Sequence, residues 1–245
     1  MTGLLYKLIR TNWVKLLLFF IGMMFYPAMF ALLFRFSPEA FDGADNTISL
    51  LMWGVCAFLT FLFGGVCQDS LFNDGESKKW AYFVTSTPTG IKGHIGSKYL
   101  FTLVWSMVTV TALILLNCFA IDGNKDLSDG SVIFIVFFYI QLLMRAVEFP
   151  LMACFGGKMG KNMKVIIIGI AAFIIFAYTL FGDTSAFADM DTFFDRLLNA
   201  ANDPEKLKKI TLKFSIAAAA VIPIYYLSYR LSVKWYLKGV ETYEK

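Results

Sequence analysis

Three polar residues interrupt the apolar stretch Ser131–Phe155: Gln141, Arg145 and Glu148, spaced i, i+4 and i+7. On a helix that spacing puts all three on one face, with Phe134, Phe137 and Phe138 extending it. An ion in the middle of a bilayer costs about 2.5–3.5 kcal/mol on insertion scales, so such groups face protein or water. Two kinds of chemistry suit them. They can line a polar cavity that admits an amphipathic substrate, or they can form an i, i+3 ion pair that fixes helix packing. Glu148 precedes Phe155 by seven residues, about 10 Å of helix, which places the patch toward one end of the stretch.

Other reactive residues are sparse. The chain has a single histidine, His94, and four cysteines without C-x-x-C spacing, so no metal site and no His-based catalytic site is expected. Cys56, Cys67, Cys118 and Cys154 are expected to be buried or interfacial thiols, and His94 to be solvated or interfacial. The stretch Gly156-Gly157-Lys158-Met159-Gly160-Lys161-Asn162 resembles a phosphate loop only in composition. The spacing G-x-x-x-x-G-K-[ST] fails, because Phe155 stands where the first glycine belongs and Asn162 where the magnesium-binding hydroxyl belongs. No catalytic residue, bound cofactor or nucleic-acid partner is expected. ATP and magnesium, if used, belong to another polypeptide.

The elements that hold these residues follow from composition. Of 245 residues, 58% are hydrophobic and 16% charged, which suits a polytopic membrane protein. Six stretches approach the roughly 20 apolar residues that cross a hydrocarbon core: 16–34, 47–67, 99–119, 131–155, 165–181 and 212–231. None alternates with period two, so the fold class is all-α, a single transmembrane domain over 1–245. Ahead of the first span, Leu4, Leu5, Leu8 and Ile9 recur at helical spacing beside Lys7 and Arg10, which predicts a short amphipathic interfacial helix. With the N-terminus placed in the cytoplasm, the inner segments carry 14 of the 22 Lys and Arg and the outer segments 6. Both termini are therefore expected inside.

Two connecting segments are amphipathic. Between spans two and three, Glu76, Trp80, Phe83 and Val84 fall on one face of a short helix over Gly75–Ser86, which Pro88 and Gly90 bring to a stop. Such a helix can dock on a soluble partner or rest on lipid. Between spans five and six, Met190, Phe193, Phe194, Leu197, Leu198 and Ala201 recur at helical spacing with acids toward the N-terminal end. This predicts an outer helix that caps the pathway or merely lies in the interface.

These residues carry a resemblance. Phe72-Asn-Asp74, Trp80-Ala-Tyr82, Pro88 and Ser97-Lys98-Tyr99-Leu100 together resemble the loop of the type-2 ABC-exporter permeases, six-span bacterial subunits that pair with a separate ATPase. Gly3-Leu4-Leu5-Tyr6-Lys7, Pro150-Leu151, Phe155-Gly156 and Lys161 match the family's pattern as well. Within it, the chain resembles the membrane subunits of exporters of phenol-soluble modulins, which are amphipathic peptide toxins. Relatives carry a basic residue soon after the loop proline. This chain has Gly90 and Ile91 there, so no phosphate- or acid-facing role is carried over to that turn.

The resemblance implies a permease subunit of an ATP-driven exporter in the bacterial cytoplasmic membrane. It implies partner ATPases docked on the Glu76–Val84 face and a second permease subunit, most simply a second copy. Gln141, Arg145 and Glu148 are then the pathway candidates, and an amphipathic peptide the substrate. The rival readings are an accessory or immunity membrane protein without transport, and a proton-coupled secondary transporter using Arg145 and Glu148 as its relay.

Overall fold

The computed structural model describes residues 2–36, 46–73, 78–123, 129–156, 159–160, 162–167, 169–170, 173–174 and 220–240. Within them run six named helices: α1 (Thr2–Phe36), α2 (Asn46–Asn73), α3 (Lys78–Ser86), α4 (Gly90–Gly123), α5 (Ser131–Phe155) and α6 (Val221–Val240). Shorter helical stretches lie between residues 159 and 174. No strand occurs among the described residues, so the fold is all-α.

α1, α2, α4 and α5 are long and apolar enough to cross a membrane. The α5 limits are those read from hydropathy. The others run further than expected, because helix continues wherever packing, and not only lipid, buries it. α1 is a single helix of 35 residues, about 52 Å long, where a separate interfacial helix was expected before the first span. No glycine or proline breaks residues 10–16; half-buried Leu8 and buried Leu16 pack against α2 and α4, with buried Asn12 on the same face between them. α4 likewise begins at Gly90 and not near Tyr99. Gly90 adopts φ +53°, a left-handed conformation suited to glycine, and ends the Thr87–Thr89 turn.

Proline does not break α1 either. Pro27 has no N–H to give the Met23 carbonyl four residues back, and the Thr60 hydroxyl of α2 lies 3.2 Å from that oxygen. In lipid such a carbonyl has no water to turn to. The Thr60 hydroxyl also lies 2.7 Å from the Cys56 carbonyl of its own helix, so its single proton sits between the two carbonyls where α2 meets α1.

α5 packs along α6, and α1 along α4 and α2. One core joins Phe34, Trp53, Phe61, Leu113 and Phe134 of α1, α2, α4 and α5. A second joins Phe72, Ala81, Tyr99, Phe149, Met152, Tyr225 and Tyr236, and so ties α3 and α6 to the same end as the α5 C-terminus. α6 is amphipathic, which is why its hydropathy is weaker. Tyr225, Ser228, Ser232 and Tyr236 line its buried face, and the Tyr99 hydroxyl lies 2.7 Å from both serine hydroxyls.

This end of the bundle gathers the start of α1, the end of α2, α3, the start of α4 and the ends of α5 and α6. Lys7, Lys92, Lys98, Arg230, Lys234 and Lys238 are carried by these helices, and Lys164 by the 162–167 stretch beyond α5. They are the basic segments that the charge count assigned to one face of the membrane. Leu18, Phe25, Leu51 and Leu115 are among the many large apolar residues left exposed along the helices, the surface that lipid requires. Of the expected fifth span only fragments within 165–174 are described, and of the sixth only the part from residue 220. The expected outer helix with Phe193, Phe194, Leu197 and Leu198 lies outside the described residues.

Candidate functional site

The polar face of α5 is buried throughout, with Gln141, Arg145 and Glu148 all shielded from solvent and Glu148 at 0% exposure. Arg145 pairs with Glu148 one turn along, one of the two arrangements the spacing allowed, and also with Asp69 of α2. Glu148 in turn accepts a 2.7 Å bond from Lys164 beyond the end of α5. Among the described residues two acids and two bases thus form an ion cluster that joins α2, α5 and the 162–167 helix. Compensation of this kind is what allows ions to remain in a low-dielectric interior.

Two glycines make the cluster possible. Gly65, one turn before Asp69 on α2, lies under the guanidinium; a Cβ there would come 2.6 Å from an Arg145 terminal nitrogen. Gly160 lets the chain fold back against α5, because a Cβ there would meet the Met152 Cα at 2.5 Å and its nitrogen at 2.7 Å. Gly156, at φ +81°, turns the chain, and the Gly160 N–H donates to its carbonyl at 2.8 Å. Gly156 and Gly160, the described glycines of the stretch that looks like a phosphate loop, lie where the chain comes back against α5, and Lys164 beyond them reaches Glu148.

Beside the ions runs a neutral chain. The Gln68 amide donates to the Ser106 hydroxyl and Ser106 donates to Gln141 Oε1, both at 3.0 Å, and Gln141 Nε2 donates to the Phe61 carbonyl at 3.3 Å. α2, α4 and α5 are therefore cross-linked at one depth. Buried networks whose members are satisfied hold helices in one arrangement. The large cavity at this end of the bundle is lined by other residues.

α3 supplies a second feature. Ala81 and Val84 face the bundle, Val84 at 1% exposure, whereas Tyr82 and Phe83 point outward at 58% and 57%. The expected docking face is thus divided. Val84 belongs to the protein's own core and cannot meet a partner, and Tyr82, not singled out by periodicity, stands beside Phe83. Nine residues of helix have one side for the bundle and one for solvent, and helical spacing alone does not say which is which. Trp80 lies between the two sides. Its ring is 5.4 Å from that of Phe83 and 6.4 Å from His94, and the Lys7 ammonium sits 3.6 Å over it. Glu76 lies outside the described residues. His94, expected to be solvated or interfacial, is buried against Trp80 and Tyr236. A ring at the start of α4 turns toward α6, and sequence spacing could not show that neighbour.

A family model described as ABC-2 family transporter protein matches residues 4–237. The chain belongs to the ABC-2 transporter family. No curated protein and no solved structure matches it. As an ABC-2 family member with several apolar helices it is a multi-pass membrane protein. The match takes in every element described above, from the start of α1 to the Tyr236 contact of α6.

Asp69, Lys164, Gly65 and Tyr82 were not identified from the ABC-2 chain's sequence as parts of a site. One signal was available for Asp69. A buried arginine demands an acid at its own depth on another span, and Gln68-Asp69 closes the second hydrophobic stretch. Among the described residues no group of three or more potential ligands could hold a metal ion. The four cysteines are free thiols: Cys56 and Cys67 buried, Cys118 exposed and Cys154 between.

Proposed function

We propose that this chain is the membrane-spanning subunit of an ATP-driven exporter, powered by a separate ATPase and passing hydrophobic or amphipathic substrates, peptides in particular. The observation that carries this reading is α3. A short helix is seated on the bundle through Ala81 and Val84, tied to α1 by Lys7 and Trp80, and turns two large aromatics, Tyr82 and Phe83, outward. Aromatic pairs of this kind dominate protein interfaces. The helix lies at the basic end of the bundle, which the excess of Lys and Arg assigns to the cytoplasm. In this reading that membrane is the bacterial cytoplasmic membrane, crossed six times with both termini inside.

ATP binding and hydrolysis then belong to the partner, and two permeases, most simply identical, work over two ATPases. Force on α3 reaches α1 through Trp80 and α4 and α6 through the surrounding core. Closure of the ATPases would rock these helices between inward- and outward-facing arrangements. The Asp69–Arg145–Glu148–Lys164 cluster holds α2 against α5 in the arrangement seen here, and its contacts are candidates for exchange during that motion.

Co-purification of a soluble ATPase with the full-length chain, followed by ATP-dependent peptide movement in proteoliposomes, tests the reading. An ATPase held by the chain and a transport rate that vanishes without ATP support it. Transport driven by a proton gradient, with no ATPase bound, would overturn it in favour of secondary transport.

A further inference from the structure

The two sides of α6 differ in kind. Tyr225, Ser228, Ser232 and Tyr236 face the bundle. Positions two apart on a helix stand about 200° apart, so Arg230 lies opposite Ser228, Lys234 opposite Ser232 and Lys238 opposite Tyr236. All three cations are exposed, and among the described residues no acid pairs with any of them. Arg230 rests on a neutral neighbour: its guanidinium lies 6.0 Å from the Tyr226 ring centroid and 3.5 Å from that hydroxyl. Tyr229 donates to the Lys92 carbonyl at 3.2 Å and so holds this stretch of α6 against the start of α4.

Toward the other end of α6 the outward side is apolar, with Ile222, Tyr226 and Leu227 exposed. Leu227 and Arg230 are three residues apart, about 4.5 Å of axis. The uncovered face therefore passes from apolar to basic within one turn. A bilayer leaflet changes in the same order, from acyl chains to phosphates.

We infer that this face of α6 binds acidic phospholipids, with Arg230 and Lys234 on the head-group phosphates and Ile222, Tyr226 and Leu227 against the acyl chains. Lysine and arginine stems lie on apolar surface while their charged ends reach the polar layer, and tyrosines mark that level on membrane helices. Each Lys or Arg near an anionic leaflet adds to the attraction. Other occupants fit less well. A soluble anion gains nothing from the apolar turns, and an acidic protein surface leaves them uncovered. A second copy packed on this face about a two-fold axis would set the cations against their own counterparts. The site is independent of the export reading.

The test is lipid retention by the purified full-length chain, read by native mass spectrometry with phosphatidylglycerol and phosphatidylcholine offered at equal concentration. The expected result is preferential retention of phosphatidylglycerol. Arg230→Gln with Lys234→Gln should weaken it about fivefold for each cation removed. Arg230→Lys with Lys234→Arg should keep retention near the original, which separates charge from folding. Lys79→Gln, a charge removed from an exposed position of α3 at the same end of the bundle, should leave retention unchanged. Equal retention of the two lipids, or a loss in Lys79→Gln as large as in Lys234→Gln, overturns the site. A double glutamine variant that keeps its phosphatidylglycerol but loses a co-purifying soluble protein overturns the lipid assignment and gives the face to an acidic protein partner.

Discussion

The Arg145 guanidinium passes over the bare backbone of Gly65 on its way to Asp69, one helical turn further along α2. A methyl group at 65 would stand 2.6 Å from a guanidinium nitrogen. Gly65→Ala should therefore push the side chain off Asp69 and destabilise the purified protein by about 1–3 kcal/mol, the usual cost of overpacking. Gly54→Ala, where nothing lies within 4 Å, should leave the melting temperature unchanged or raise it. Thermal unfolding in detergent, followed by size-exclusion fluorescence, compares the two. Equal melting temperatures would mean that the guanidinium is not held where it is seen.

The ion cluster sets a rescue experiment. Arg145→Met takes from Asp69 and Glu148 the guanidinium that joins them, and breaking a buried ion network at one member costs about 3–5 kcal/mol of stability. Adding Asp69→Leu removes the acid that faced Arg145 and leaves Glu148 and Lys164 paired at 2.7 Å. The single variant should yield little folded protein and the double variant substantially more. A double variant no better than the single one would argue against an ionic tie.

The two sides of α3 should behave differently. Phe83→Ala and Tyr82→Ala remove exposed rings, so the permease should stay folded while ATPase co-purification weakens. A loss of about 2 kcal/mol for a dominant interface residue corresponds to roughly thirtyfold in affinity. Val84→Ala should do the reverse, lowering thermal stability through its buried contacts. Trp80→Ala should affect both, since the ring meets Lys7 and His94 as well as Phe83. If both exposed-ring variants bind the ATPase normally and export is intact, α3 is a lipid-surface anchor and not a docking helix.

The assignment of the basic end to the cytoplasm can be read by labelling. In a background lacking Cys56, Cys67, Cys118 and Cys154, Ser86→Cys on α3 should react with an impermeant thiol reagent only after permeabilisation. Asp122→Cys, at the opposite end where it pairs with Arg35 at 3.3 Å, should react on intact cells. The reversed pattern would invert the topology and remove α3 from any cytoplasmic partner.

The apolar runs of this chain determine by themselves that it is helical and spans a membrane, because a buried backbone in lipid must bond to itself over a fixed length. Ser131–Phe155, the stop at Ser86 and the turn before Gly90 were legible for the same local reason. So was the Arg145–Glu148 pair, since one helix sets the distance between i and i+3. Its other partners were not legible. Asp69 lies 76 residues away, and Lys164 reaches Glu148 from beyond Gly156 and Gly160, where the chain comes back against α5. On α3 the spacing marked an amphipathic helix, but the side that faces inward was decided by the core of α4, α5 and α6 that receives Ala81, with Val84 buried beside it on the same side. Local periodicity fixes which residues share a face, whereas the neighbour of that face depends on how separate helices pack, and that only the tertiary structure decides.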